Sequence, residues 1–516
     1  MVYRRRLPLL TVILLLTLAA CSPGESVDVE GGGGDAASGT EGGGEGGTLV
    51  AAISGEPDQL DPHRTSAYVS FQVLENVYDT LVQPNADLEF EPALATEWET
   101  SDDQLTWTFT LREGVTFHDG SEFDASDVVY SYNRIIDEEL ANAFRFSAVE
   151  AVRAVDDRTV EIQVERPTPN LLANIGAFKG MSIVPQGAKG GELNREPVGT
   201  GPFAFADSAQ GQSVTLEANP DYWGEGPFVD GVEFRFISEP TAALTELRGG
   251  TAQWTDNIPP QQISQLDSDA SVTLESVPST DYWYLAPNHQ REPFDDQQVR
   301  QALAYGIDRE SVTVAAKFEA ATVNQTAIPP SSPFASDYAP YTYNPDRARA
   351  LLDDAGVDDL QMALMVTDEY PETVQAAQVI SSNLADIGVD TEIRTLDFAT
   401  WLDEQGKGNF DAFILGWLGN IDPDDFYYAQ HVTDGAFNFH GYANPEADRL
   451  LNAAREETDE GERKRLYDEA VELIVDDVSY LYLYNPDVVQ AWSPDLSGYE
   501  VRPDRAINFD TVRLEG

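Results

Sequence analysis

The chain has 516 residues, with 31 basic and 90 acidic side chains and a formal net charge of −59. That charge excludes nucleic acid as a partner and excludes charge-driven docking on anionic lipid, because phosphates are repelled. A single cysteine rules out an intrachain disulfide, and the length exceeds what one hydrophobic core supports, so more than one domain is expected.

The first element is a leader. Arg4, Arg5 and Arg6 precede an apolar run over residues 7–18, which ends in Leu18-Ala19-Ala20-Cys21. A basic start, an apolar run and small residues before a break make a secretory signal peptide. Small residues followed at once by cysteine make the lipoprotein version, with Cys21 as lipidation site and new N-terminus. The run is about a dozen residues, too short for a bilayer core of ~30 Å. The expected location is therefore the outer face of the cytoplasmic membrane (periplasm or cell envelope), held by a lipid anchor on Cys21. Signal peptide 1–20 is followed by a glycine-rich linker, 21–47, with no residue in GGGGDAASGTEGGGEGG large enough to pack. Cleavage leaves 28 basic residues against 90 acidic ones, net −62, and only five lysines occur in the chain. A lysine-poor, acidic surface spread over the whole length predicts adaptation to high salt, where screening removes self-repulsion.

Folded sequence begins at the strand-like run 48–53. Apolar positions Phe71, Leu74, Val77, Tyr78 and Leu81 recur at helical spacing. Residues 105–111 alternate strictly, as a half-buried strand does, and 113–115 turn into a second short strand. Asp124, with Asp127 three residues on, reads as the cap of a helix carrying Val128, Val129 and Tyr132. Strands follow at 159–164, 232–236, 412–415 and 479–484, and helices at 241–248, 297–307, 345–355, 374–387, 445–455 and 460–475. The class is mixed α/β without internal repeats.

Eight segments carry a resemblance. They are GEPDQLDP (55–62), LREGVTFHDGSEFDASDVVYS (111–131), PVGTGPF (197–203), NPDYWG (219–224), PFDDQQVRQALAYGIDRE (293–310), YNPDRARALLDDAG (343–356), GWLGNIDPDDF (416–426) and FHGYANPEADRLL (439–451). Some have local physical sense. In PVGTGPF two glycines permit positive φ at Gly199 and Gly201. In YNPDRARALLDDAG, Asn344 caps, Pro345 takes the first helical position and Gly356 stops the helix. Taken in order over residues 48 to about 514, behind a lipoprotein signal, they make the chain resemble the extracytoplasmic solute-binding proteins of ABC importers, of the dipeptide, oligopeptide and nickel type.

That resemblance implies an α/β, two-lobed periplasmic-binding-protein (Venus-flytrap) fold of the large peptide-binding type. Lobe I would span 48–277 with 485–516 returning to it, and lobe II 278–484. A monomer would close on a peptide or other small polar solute and present it to the permease transmembrane subunits, with no bond made or broken and no cofactor. In peptide-binding relatives a segment like Gly416-Trp417-Leu418-Gly419-Asn420 lines the pocket, and an aspartate at the position of Asn420 takes the ligand ammonium. Asp422 is the nearest substitute. Arginines that meet the ligand carboxylate in relatives are not evident: Ile414 stands at one such position and 369–375 contain none. Trp417 and Phe398 are expected as apolar walls, and Tyr68, Tyr282 and Tyr284 as amphipathic lining.

A peptide ligand is thus the first expectation. An oligosaccharide or a nickel chelate on the same scaffold is the alternative, and a secreted hydrolase the rival class. The sequence has no G-x-S-x-G elbow, H-E-x-x-H helix or P-loop. His63, His118, His289, His431 and His440 are scattered without metal-ligand spacing, and His118 and His440 read as structural. Asp422-Pro423-Asp424-Asp425 reads as turn chemistry, lacking the ligand spacing of a calcium hand.

Overall fold

The computed structural model describes residues 46–177, 179–318 and 320–515. The leader, Cys21 and the linker up to residue 45 lie outside the described residues. Among the described residues no helix is long and apolar enough to cross a membrane.

One twelve-stranded sheet organises the chain. Ten strands form its path, Val389–Leu396, Leu360–Thr367, Ala412–Trp417, Tyr282–Pro287, Leu481–Trp492, Trp254–Thr255, Thr48–Ile53, Gly231–Phe236, Ser213–Ala218, Phe203–Ala209, and two more, Thr273–Pro278 and Ala321–Val323, pair with Leu481–Trp492. A separate four-stranded antiparallel sheet joins Ala95–Thr100, Thr106–Leu111, Thr159–Val164 and Val149–Asp156. Three main cores follow from this arrangement. One draws only on residues 282–484. A second combines 49–78 and 184–254 with the C-terminal 488–512. A third, 81–183, packs the four-stranded sheet under the helix Ala125–Asp137.

Local chemistry sets the elements. Asp124 forms a capping box: its carboxylate accepts from Ser126 N–H at 2.7 Å while Asp127 accepts from Asp124 N–H at 2.9 Å. Asn344 caps Pro345–Asp354 through Arg347 N–H at 3.0 Å, and Gly356 ends it at φ +70°.

Three expectations are corrected. The helical spacing over 71–81 yields only the helix Tyr68–Leu74. The carbonyls of Asn76 and Val77 are taken instead by Phe203 N–H and Gly201 N–H, both at 3.0 Å. Gly199 and Gly201 do not have positive φ; a side chain on either would strike the Val77 backbone, so close approach is what requires glycine. The short strand after 113–115 is reduced to a single bridge, Thr116 to Glu122.

Candidate ligand-binding cleft

The strand Leu481–Trp492 serves both halves of the sheet. Its first residues pair with Tyr282–Pro287 and its last with Thr273–Pro278 and Trp254–Thr255. The chain crosses between halves a second time just after Pro278, and the crossings are tied together. Ser279 N–H donates to Pro486 O at 3.1 Å, and Asn485 Nδ2 donates to Asp281 O at 2.8 Å. Two adjacent connections held side by side are the structural form of a hinge.

Charged groups of both signs gather at this crossing. Asp281 is fully buried, accepts Gly419 N–H at 2.8 Å and pairs with Arg505 Nε. The Arg505 guanidinium lies 5.6 Å from the Tyr68 ring. Tyr68 Oη donates to Asp256 at 3.1 Å and Gln72 Nε2 donates to the same oxygen at 2.6 Å. Burial pushes the Asp256 carboxyl up while Arg505 opposes the shift. On the other half, Lys317 Nζ meets Glu372 at 2.6 Å. Burial raises the Glu372 carboxyl, but Lys317 outweighs it, helped by Arg505, and holds the group below its ordinary range. Aromatic rings back these charges. Lys317 Nζ sits 5.4 Å from the Trp283 ring, which stacks on Tyr484 at 6.4 Å and meets Tyr370 edge-on at 5.9 Å.

The predicted residues divide. Tyr68 belongs to the cluster. Gly416 lies opposite Trp283, where a Cβ would come within 2.7 Å of the indole. Trp417 and Leu418 are half-buried, and the Trp417 ring lies 4.8 Å from Phe437. Asn420 is 4 % exposed, and its Nδ2 has no hydrogen-bond partner among the described residues. Phe398 packs behind Tyr370 at 5.5 Å. Three residues are corrected. Tyr282 and Tyr284 are core side chains, each 1 % exposed: Tyr282 Oη donates to Phe426 O at 3.2 Å, and Tyr284 stacks on Tyr480 at 3.8 Å. The strand's alternation puts Trp283, between them, on the side of Lys317 and Tyr370. Asp422 is not free for a ligand ammonium. It caps Pro423–His431 and is held by both Arg463 Nη groups at 2.8 and 2.6 Å.

Sequence reasoning missed Asp256, Asp281, Lys317, Glu372 and Arg505. They lie up to 249 positions apart, with no shared motif. The scarcity of lysine was the one signal that could have drawn attention to Lys317.

A second contact joins the two halves away from the hinge. Arg145 Nη1 donates to Asp425 at 3.0 Å, Asn170 Nδ2 donates to Asp424 at 3.1 Å, and Phe144 meets Phe437 at 5.3 Å. Arg455 also pairs with Asp424 at 3.1 Å. Burial nonetheless pushes the Asp424 carboxyl up to about 6, with Arg455 opposing. Two surface hollows, of about 390 and 430 Å³, share no lining residue with the hinge cluster.

The chain has counterparts among known proteins. Residues 89–439 match the family described as bacterial extracellular solute-binding proteins, family 5 Middle. The chain belongs to that family. It is 30% identical over 484 residues to the glutathione-binding protein GsiB of Salmonella paratyphi A, covering 90% of this chain and 94% of that one. It is 30% identical over 509 residues to di/tripeptide-binding protein 2 of Pseudomonas aeruginosa, covering 91% and 95%. Among solved structures, the periplasmic binding protein DppA of Helicobacter pylori, in complex with peptide STSA, superposes with a TM-score of 0.82 at 28% identity, over 91% and 98% of the two chains. The chain is thus a two-lobed, extracytoplasmic solute-binding protein of an ABC importer, a transport protein and not an enzyme.

Proposed function

We propose that this solute-binding protein captures a short peptide or peptide-like zwitterion between its lobes and hands it to the permease. The observation that carries the reading is the charge pattern of the cleft. Arg505 and Lys317 are set among Asp256, Asp281 and Glu372, with aromatic walls behind. A zwitterion offers each sign a partner, and burying it unpaired would cost several kcal/mol per ion. Relatives named for glutathione and for di- and tripeptides point the same way. Thermal-shift measurements on the full chain in high salt test it, using di- to hexapeptides, glutathione, oligosaccharides and nickel chelates. A ligand that binds only the folded state adds ~2.7 kcal/mol at a hundredfold excess over its Kd. A shift with short peptides is expected; silence with every peptide and a shift with sugars or chelates overturns the peptide reading.

The lobe limits we infer are 48–277 with 485–516, and 278–484. One core confined to 282–484 and another that recruits 488–512 support them. We also propose that the body is monomeric, that it is tethered through Cys21 by acyl chains, which the leader supports, and that its acidic surface is adapted to salt, which the net charge of −59 supports. Cys21→Ala is expected to release the protein into the medium. Retention of that variant in the membrane fraction would falsify the anchor.

A further inference from the structure

We propose that Arg505 selects the ligand by its carboxylate, with Asp281 holding the guanidinium in a fixed pose for that purpose. The inference rests on the peptide-class reading of the cleft and names the group that reads one end of the solute.

Arg505 arrives from the far C-terminus on a segment with little freedom. Arg505 N–H donates to Arg502 O at 3.1 Å, and Thr280 N–H donates to Pro503 O at 3.0 Å beside the hinge. Just beyond, Ile507 N–H donates to Glu75 at 2.7 Å and Phe509 N–H to Asn76 at 3.1 Å. Within this frame Arg505 itself adopts φ +63°, a left-handed conformation that glycine or asparagine takes more readily. A long cationic residue kept in a strained position indicates that its side chain is needed there.

The donor arrangement says what for. Only Nε of Arg505 donates to Asp281; neither Nη group donates to a protein acceptor among the described residues. A guanidinium anchored through Nε presents its Nη pair as a fork, the geometry that grips a carboxylate with two parallel hydrogen bonds. The side chain keeps 19% of its surface exposed, while Asp281 is fully enclosed. A second donor lacks an acceptor nearby in the chain. Asn420 Nδ2 is buried without a partner among the described residues, next to Gly419, whose N–H donates to the same Asp281. A buried donor without an acceptor is costly, and a ligand rich in acceptor oxygens would relieve it. Asp256 and Glu372, each within electrostatic reach of Arg505, bring the cluster to three carboxylates against two cations, an excess that the ammonium of a zwitterionic ligand offsets.

The test is titration calorimetry on the full chain and on Arg505→Gln and Arg505→Lys. The probes are tripeptides with a free or amidated C-terminus, glutathione, amino-acid–sugar conjugates bearing a carboxylate, and neutral oligosaccharides. The wild type is expected to prefer free acid over amide by roughly hundredfold, the scale of an unpaired buried charge. Arg505→Gln is expected to abolish the preference, while Arg505→Lys keeps the charge, loses the fork and retains only part of it. A purely structural Arg505 would lower thermal stability and leave the acid-to-amide ratio intact, which overturns the inference but not the peptide reading. Binding of carboxylated conjugates and no peptides, with the same dependence on Arg505, overturns the peptide reading and supports the inference. Binding of neutral sugars alone overturns both. Should Arg505→Gln fail to fold, the wild-type ratio still decides: equal affinity for acid and amide overturns the inference.

Discussion

Two of the contacts between the lobes, the hinge cluster and the Arg145–Asp425 contact, are built on different plans. At the hinge, Arg505 offers Asp281 one donor and leaves its fork unused, while Asn420 Nδ2 has no acceptor among the described residues. At the second contact every carboxylate meets a cation: Asp422 meets Arg463, Asp424 meets Arg455 and Asn170, and Asp425 meets Arg145 through Oδ1, its Oδ2 being buried without a partner among the described residues. The hinge side leaves donors open, and on the proposed reading a ligand fills them. The other side is dominated by ion pairs within the protein, and the one between Arg145 and Asp425 joins the two lobes only while they are together. A binding protein needs both, since a ligand shifts an equilibrium only by its differential affinity for the two states.

The largest expected effect breaks the foundation of the second contact. Arg463 lies under the helix N-terminus that presents Asp424 and Asp425, and both it and Asp422 are largely buried. Arg463→Ala leaves Asp422 enclosed without its cation, at a cost of about 3–5 kcal/mol. Chemical denaturation is expected to show that loss, and a change below about 1 kcal/mol would mean the pair is better hydrated than its burial implies.

A second effect concerns acid and falls mainly on lobe II. His289, His431 and His440 cluster there, bonded to Val478 O, Ser479 Oγ and Tyr482 Oη. Burial pushes His289 and His431 down to about 3 and His440 well below its ordinary value. Because the unfolded chain takes protons near pH 6.5 and the folded lobe does not, stability is full above that pH. It falls as pH drops from about 6.5 toward 3, by up to about 1.4 kcal/mol per pH unit for each histidine. Urea unfolding between pH 7.5 and 5 is expected to show the decline, and His431→Gln to flatten it. A flat profile in the wild type would mean that these rings protonate within the fold.

Caps and local turns were legible in the sequence because their partners are three residues away: Asp124 with Asp127, Asn344 with Arg347. The glycines of PVGTGPF were legible as special, but not why, since the constraint is the Val77 backbone more than a hundred positions away. Tyr282 and Tyr284 were misplaced by one choice of face. Alternation separates the two sides of a strand without saying which one faces the charged cluster, and it is Trp283 that lies beside Lys317. Asp422 was read by its charge, but a carboxylate at a helix start finds the helix and a nearby arginine first. Arg505 had no signal at all, because its meaning depends on the C-terminal return past the hinge.

The smallest expected effect sharpens the comparison most. Arg145 pairs with Asp425 across the lobes, and the two side chains are 6% and 9% exposed. Arg145→Ala leaves a buried acceptor unmatched only while the lobes are together; opening returns Asp425 to water. The cost, about 1–3 kcal/mol, therefore falls on the closed state, and apparent affinity drops roughly 5- to 150-fold. Every ligand should lose the same factor, unlike Arg505→Gln, which discriminates acid from amide. Burial already pushes the Asp425 carboxyl up, with Arg145 opposing, so removing Arg145 raises it further in the closed form. A carboxyl whose closed-state pKa exceeds its open-state value favours closure at low pH and loses that contribution as pH rises through the closed-state pKa. The affinity defect of Arg145→Ala should thus be larger at pH 8 than at pH 5. Solution scattering should show a more open average shape at the higher pH. A defect that varies with the ligand's carboxylate, or that grows in acid, would place Arg145 in the binding cleft and erase the division of labour between the two contacts.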